Sequence, residues 1–441
     1  MSEQKLPEGT SFVRFLWCDN ANVIRGKAVH VTQLEHYRQH GVGISAAQQA
    51  VPATVDAPAP GAGFGPVGEV RLVADWSTLM ALPYAAGHAR VLGDMVRDGK
   101  PWPLCPREFL RRMAAEAARL GLEVQAAFEN EFYLLQPTEG GGFEPADRTL
   151  FAATLAMDLN RYIIDDMAEA LLAQGVPVEQ YYPESGPGQQ EITVRHSEVR
   201  AAADRQIVFR ETVRAVARRH GLIASFLPKI FPDDAGSGCH IHLSLWRDGK
   251  NLLPDAAAPH GLSATARGFL GGLLHHLPAL MAVTTPSPNS YHRIRPHCWS
   301  GAFRCWGLDN REAALRIPTD PDGPGPTHLE IKTVDATANP YLALGAVLAA
   351  GLDGIRRELD PGDPVQVDPG DLSEAERQAK AIDPLPQDLG QALDHFRQDD
   401  VLQTALGSDL ARAFTAVRQA EREALLGKEL AAEVKLLLER Y

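Results

Sequence analysis

The sequence predicts an α+β protein, with a small β-rich domain at residues 1–100 and a larger α+β domain at residues 101–441. Three observations point there. Apolar runs separated by turn residues crowd the first hundred positions. A stretch bearing Pro and Gly, "VRDGKPWPLCPREF", marks a junction near residue 100. Beyond it, helix-like and strand-like segments alternate with no internal repeat or low-complexity tract. At 441 residues, 45% apolar and 22% charged, the chain has the length and composition for two packed domains.

In chain order, "SFVRFLWCD" and "VIRGKAVH" flank "NAN" and read as a hairpin. Residues 52–68, rich in Pro, Gly and Ala, read as a long loop, and "EVRLVADWSTLMALPY" returns to a strand pattern. The stretch "PREFLRRMAAEAARLG" is a helix with Pro106 at its start and Gly121 just past its end. Proline gives up only a donor that is unsatisfied there, and glycine accepts the left-handed turn that ends a helix. A strand at "FENEFYLL", a helix at "NRYIIDDMAEALLAQG", a strand at "QQEITVRH" and a long helix at 201–220 follow. Two strands, "IASFLPKI" and "CHIHLSLW", precede a helix at about 264–283, and a strand-and-loop region covers 299–332. From Asn339 the chain reads as helical, with an acidic, Pro-containing interruption around 360–388.

The formal net charge is −13 and no Lys/Arg-rich block stands out, which argues against binding to nucleic acid or an anionic membrane. The five cysteines, Cys18, Cys105, Cys239, Cys298 and Cys305, show no paired spacing and read as reduced thiols. The N-terminal "MSEQKLPEGTSF" has no apolar signal core, and the most apolar helix, "YLALGAVLAAGL", is shorter than the roughly 20 residues that span a bilayer. A cytoplasmic protein is the expectation.

Chemistry concentrates in a few stretches. In "FENEFYLL" a period of two puts Glu129 and Glu131 on one face, with Phe128, Phe132 and Leu134 on the other. Neighbouring carboxylates repel unless protons or a cation lie between them. The stretch fits a half-buried strand with a solvated face, or a divalent-metal site completed from elsewhere. Glu184 and Glu191 flank the Gly/Pro turn of "PESGPGQQEITV", and His240, His242 and Ser244 alternate along "GSGCHIHLSLW". Glu330 and Lys332 share a face in "THLEIKTVD", where a salt-bridged surface strand is the plain reading. The region "NSYHRIRPHCWSGAFRCWGLDNREAALRIP" carries Arg293, Arg295, Arg304, Arg311 and Arg316, either a solvated basic face or a grip for phosphate or carboxylate. Taken together, Glu129, Glu131, Glu184, Glu191, Glu330 and His240 offer mostly oxygen donors, which suits Mg²⁺ or Mn²⁺ better than a structural Zn²⁺. With the arginines they supply what metal-assisted phosphoryl transfer requires.

The motifs "ENEF", "ESGPGQQE", "GSGCHIHLSL", "NSYHRIRP", "NREAALRIP" and "LEIKTVDATANPYLAL" stand in an order and spacing that resembles the bacterial-type glutamine synthetase family. That resemblance implies a β-grasp N-terminal domain and a catalytic domain built on a curved antiparallel sheet. It implies rings of subunits, usually two stacked hexamers forming a dodecamer, with each site completed by a neighbour. It also implies ATP as co-substrate, two to three Mg²⁺ or Mn²⁺ ions per site, and an amine that attacks a γ-glutamyl phosphate. Carried over by position, Glu131, Glu184 and Glu191 would hold one ion, and Glu129, His240 and Glu330 another. Arg311 and Arg316 would contact ATP and the transferred phosphoryl group, with His242, Ser244 and Glu179 at the nucleotide. Arg293 would grip the substrate's α-carboxylate, and the backbone at Gly236 would meet the amino acid.

The sequence departs from the resemblance at the acceptor side. Trp299 occupies the position of the family's flap glutamate, which helps take a proton from ammonium, and tryptophan can neither accept a proton nor attract a cation by charge. No acid occurs in "GISAAQQA", where the family's ammonium-site aspartate should fall. Lys332 stands where arginine is usual near the substrate carboxylates, and Ala235 where asparagine is usual. The expectation is a ligase of the γ-glutamyl-amine type, joining glutamate or a similar acid to an amine other than ammonia. Trp299 would serve as an apolar wall of the acceptor pocket and favour a less charged amine over a polyamine. The alternatives are an ordinary glutamine synthetase and a non-catalytic ring-forming relative.

Overall fold

The structure is a computed structural model and describes residues 5–319 and 325–441. Residues 1–4, part of the N-terminal stretch read above as lacking a signal core, lie outside the described residues. Among the described residues no helix is long and apolar enough to cross a membrane.

The predicted hairpin forms: β1 (Phe12–Cys18) runs antiparallel to β2 (Ile24–His30). Asp19 closes the turn by accepting the N–H groups of Ala21 and Val23. After α1 (Leu34–His40) come β3 (Val42–Ser45), β4 (Glu69–Ala81), β5 (His88–Arg97) and β6 (Lys100–Pro101). The strand order is β2-β1-β5-β4-β3, with β6 on β5 and a parallel pair, β1 and β5, inside the sheet. The segment between β3 and β4 is the expected loop, preceded by a short 3₁₀ turn over Ala46–Ala50.

The remainder builds one twelve-stranded sheet and its helices. In order these are α2 (Pro106–Arg119), β7 (Glu123–Pro137), β8 (Phe143–Pro145), α3 (Thr154–Leu172), β9 (Val178–Pro183) and β10 (Gln189–Val194). Next come β11 (Ser197–Glu198), α4 (Val199–Arg219), β12 (Ile223–Ser225), β13 (Cys239–Arg247), β14 (Lys250–Asn251), α5 (Ala264–Thr284) and α6 (Ser290–Arg293). Then follow β15 (Phe303–Leu308), β16 (Ala313–Ile317), β17 (Leu329–Ile331), α7 (Pro340–Arg356), α8 (Glu374–Ala379) and β18 (Asp383–Pro384). Helices α9 (Leu389–Gln398), α10 (Asp400–Leu406), α11 (Ser408–Leu425) and α12 (Leu430–Leu437) end the chain. The path through the sheet is β18-β15-β16-β17-β13-β7-β10-β9.

Some expectations need correction. The strand read at "IASFLPKI" stops at Ser225, because Pro228 has no N–H for a ladder and Phe226 turns inward to the core. The helix expected from Asn160 begins earlier, at Thr154. The larger sheet is mixed rather than wholly antiparallel, since β15 and β16 run parallel.

Arg107 on α2 ties the smaller sheet to helix α4. Its guanidinium reaches Asp75 of β4 at 2.7 Å, Asp94 of β5 at 2.9 Å and Asp204 of α4 at 2.9 Å. Behind the larger sheet, α5 and α7 approach so closely that a Cβ on Gly354 would lie 2.2 Å from the Gly268 carbonyl oxygen.

Candidate active site

Register lines up the candidate ligands across the middle of the larger sheet. On β7, Glu129 faces His240 of β13 while Glu131 faces Glu191 of β10. On β17, Glu330 stands between His242 of β13 and Arg316 of β16. Side-chain alternation turns Phe128, Phe132 and Leu134 of β7 into the core. Glu184 follows β9, its N–H donating to the Gln189 carbonyl across the Gly/Pro turn, so both carboxylates flanking that turn face the sheet's acids.

His240 Nδ1 lies 2.8 Å from Glu129 and 3.2 Å from Glu330, and His242 Nε2 lies 3.4 Å from Glu129. Glu330 also receives Arg316 Nη1 at 2.9 Å and Lys332 Nζ at 3.2 Å. Burial alone would raise the Glu129 and Glu330 carboxyls. The histidines beside Glu129, and Lys332 with the histidines beside Glu330, outweigh it and hold both well below the usual range. On the other side the balance reverses. Burial and the charge of Glu131 push Glu184 up to about 7, and burial with the charges of Glu129 and Glu131 pushes Glu191 up to about 11.

Such a gathering of carboxylates is fully ionised only with cations among them. The site fits that requirement. Glu191 Oε1 and His240 Nε2 are buried with no hydrogen-bond partner among the described residues. Glu129, His242 and Glu330 bring one ligand atom each within 4.8 Å of one another. Gly238 keeps the space open: a Cβ there would lie 2.4 Å from His240 Nε2 and 2.9 Å from Glu131 Oε1. The donor set is oxygen with one or two imidazole nitrogens, which suits Mg²⁺ or Mn²⁺. The surface-strand reading of Glu330 and Lys332 is corrected: the ion pair exists, but at 1% and 4% exposure it is buried.

Beside these acids opens a cleft of about 550 Å³, lined by Glu179, His242, Ser244, Trp246, Asn251 and His328 among others. Three sequence candidates for nucleotide contact thus share one cavity. Ser244 receives Trp246 Nε1 at 2.8 Å, while Glu179 pairs with Arg195 at 2.9 Å.

On the opposite side Arg293 packs onto Gly236, where a Cβ would fall 2.5 Å from the arginine Cγ. Arg293 Nη2 donates to the carbonyls of Lys332 and Val334 at 3.0 Å each, and Nε has no partner among the described residues. Ala235 offers only its carbonyl, which accepts the Tyr133 hydroxyl at 2.7 Å. Arg304 leaves the arginine set, because it pairs with Asp383 at the sheet's edge. The Arg311 guanidinium carbon lies 6.0 Å from the Trp299 ring, and Trp299 is 55% exposed.

Sequence reasoning missed two residues. Gln189 Nε2 lies 3.3 Å from Glu131, 3.1 Å from the Gly236 carbonyl and 3.1 Å from Ser237 Oγ, joining the acids to the Gly236 loop. Its place two residues before Glu191 on one strand was the available signal. Glu312, 8% exposed, accepts the Trp299 N–H at 2.7 Å. It stands next to Arg311 inside "NREAALRIP", but its tie to Trp299 is a contact across the loop that the motif does not show.

Residues 103–436 match the glutamine synthetase catalytic-domain family, and residues 2–102 match the glutamine synthetase N-terminal domain. A γ-glutamylpolyamine synthetase from Streptomyces coelicolor is 40% identical over 97% of this chain and 93% of its own. A type-1 glutamine synthetase from Dictyostelium discoideum is 34% identical over 99% of this chain and 90% of its own. Among solved structures, one described as a novel glutamine synthase homolog superposes with a TM-score of 0.86 at 34% identity, covering 100% of both chains.

Proposed function

The chain belongs to the glutamine synthetase family of ATP-dependent carbon–nitrogen ligases, and on that premise we propose that it joins glutamate, or a similar acid, to an amine other than ammonia. The observation that carries the amine reading is Trp299. The flap position holds an exposed indole, and the turn over Ala46–Ala50 in the N-terminal sheet contains no acid. Neither the side chain at 299 nor any in that turn carries the negative charge that would draw ammonium, whereas an aromatic surface suits an amine with a carbon substituent. The similarity to a γ-glutamylpolyamine synthetase supports a larger acceptor.

In this reading Glu179, His242 and Ser244 line the nucleotide cleft. Arg293 and Gly236 receive the amino acid's α-carboxylate end, with Lys332 beside it. Glu131, Glu184 and Glu191 would hold one Mg²⁺ or Mn²⁺, and Glu129, His240 and Glu330 another; bound there, the ions neutralise phosphate charge. A γ-carboxylate oxygen attacks the terminal phosphorus of ATP and ADP departs. Arg311 and Arg316 stabilise the charge on the phosphoryl oxygens. The amine nitrogen then attacks the acyl carbon, the C–O bond to phosphate breaks, and the nitrogen's proton passes to the departing phosphate, leaving the γ-glutamylamide. The protein works as a homo-oligomer, a dodecamer of two hexameric rings.

The test is a panel of amines, with ammonium, alkylamines, anilines and polyamines each supplied with ATP, Mg²⁺ and glutamate. Phosphate release gives kcat/KM, and product mass gives the amide. A higher kcat/KM for a larger amine than for ammonium supports the reading. The second reading, an ordinary glutamine synthetase, rests on the 34% identity to the Dictyostelium enzyme; it is favoured if ammonium leads the panel.

A further inference from the structure

We propose that Glu312 is the positioning residue of the Trp299 flap and, through that flap, a determinant of acceptor specificity. The inference rests on reading Trp299 as the wall of the acceptor pocket.

The flap takes an unusual backbone path. His297 and Trp299 both adopt positive φ, 58° and 50°, a conformation disfavoured for any residue with a Cβ. Such a path persists only where its surroundings impose it. Ser300 closes the loop on itself, its Oγ accepting the Arg295 N–H at 3.0 Å and donating to the Arg295 carbonyl at 2.8 Å. That closure does not fix where the loop points.

The direction comes from outside the loop. Glu312 accepts the Trp299 N–H at 2.7 Å, a hydrogen bond to a carboxylate with little water around it. Glu312 is itself held: its N–H donates to Asn310 Oδ1 at 3.0 Å. Asn310 Nδ2 in turn donates to the carbonyls of Val365 at 2.8 Å and Val367 at 3.0 Å. His297 reaches the same support, with Nδ1 3.0 Å from Asp368. Both left-handed residues are therefore pinned to the 365–368 segment, Trp299 by way of Glu312 and Asn310.

A lid that closes on its substrate pays for ordering at each turnover. A flap pinned beforehand instead presents Trp299 as a fixed surface over Arg311, and selects acceptors by fit. Glu312 touches no reacting atom in this scheme. Its work is to fix the backbone from which the indole projects, so that the ring meets a substituted amine in one place; a looser flap would admit more water to the acyl phosphate.

The test uses the full-length enzyme with its best amine from the panel and compares Glu312→Ala, Glu312→Gln and Glu312→Asp. A glutamine oxygen still accepts the Trp299 N–H, whereas aspartate is one methylene too short. Glu312→Ala and Glu312→Asp should raise KM for the amine by about tenfold or more, as loss of a hydrogen bond to a charged group requires. KM for ATP should stay within about twofold, and phosphate release without amine should rise. Glu312→Gln should restore the amine KM to within about threefold of wild type. Unchanged amine KM in a folded Glu312→Ala enzyme overturns the inference, as does a parallel rise in KM for ATP or a failure of Glu312→Gln to rescue. If neither Ala nor Asp variant folds, judged by circular dichroism, Glu312 is a stability residue and the inference is also overturned. Failure of the ligase reading is distinct: the wild-type enzyme would then release phosphate with no amine larger than ammonia.

Discussion

Arg316 Nη1 donates to Glu330 Oε2 at 2.9 Å from the directly opposed position on the neighbouring strand. One carboxylate thus faces an arginine, Lys332 and His240 at once, in a nearly dry part of the sheet. Removing that carboxylate strands buried positive charge. Glu330→Ala is expected to destabilise the fold by about 3–5 kcal/mol, the range for breaking a buried pair from one side. It should also abolish Mg²⁺-dependent ATP turnover, and denaturant unfolding with phosphate-release assays checks both.

Glu191 shows the opposite balance, since its neighbours are Glu131 across the ladder and Glu129 nearby. Without metal the fold must hold Glu191 protonated, its value pushed up to about 11, and Glu191→Gln removes that cost. The metal-free variant should melt at or above the wild-type temperature, while its added stability on saturation with Mg²⁺ should shrink. For wild type that gain is about 2.7 kcal/mol at a hundred times Kd. Thermal melts with and without Mg²⁺ and nucleotide give the comparison.

His276, far from these acids, is clamped by Asp399 at 2.6 Å and Asp353 at 3.0 Å, with Arg357 also on Asp353 and His275 alongside. Burial alone would lower its proton affinity, but its hydrogen bonds to the Asp399 and Asp353 carboxylates win and raise it above the ordinary 6.5. A raised folded value means that the clamp contributes fully below about pH 6.5 and fades as pH rises through the folded value. Asp399, depressed by His276 against its own burial, contributes above about pH 3.8 and fades as acid titrates it. Wild type should out-melt His276→Gln by about 1–2 °C or more near pH 5.5, and the gap should narrow toward pH 9. A gap that widens with pH would contradict the assignment.

Trp299→Glu returns an acid to the flap. It should raise kcat/KM for ammonium by about tenfold and lower it for larger amines, because charge near the acceptor draws a cation and removes the apolar wall. Parallel changes for all amines would show that position 299 does not discriminate.

Much of the site was legible because strands report faces. Glu129 and Glu131 share one side by a period of two, and His240, His242 and Ser244 alternate in the same way along β13. Register was not legible: that Glu129 meets His240 while Glu131 meets Glu191 depends on long-range pairing that no local pattern encodes. Glu312 was invisible for the same reason, since its partner lies thirteen residues away across a folded loop. The false strand extension at "IASFLPKI" came from reading apolar content past Pro228. Burial of the Glu330–Lys332 pair likewise depends on the strands around β17, which flank it on both sides.

The sharpest measurement is a competition in one vessel. Equimolar ammonium and the best amine are given to the wild-type enzyme with ATP, Mg²⁺ and glutamate, and both products are weighed by mass spectrometry. The account predicts that γ-glutamylamide exceeds glutamine by about tenfold or more, the ratio of two kcat/KM values. Glutamine as the main product would contradict it.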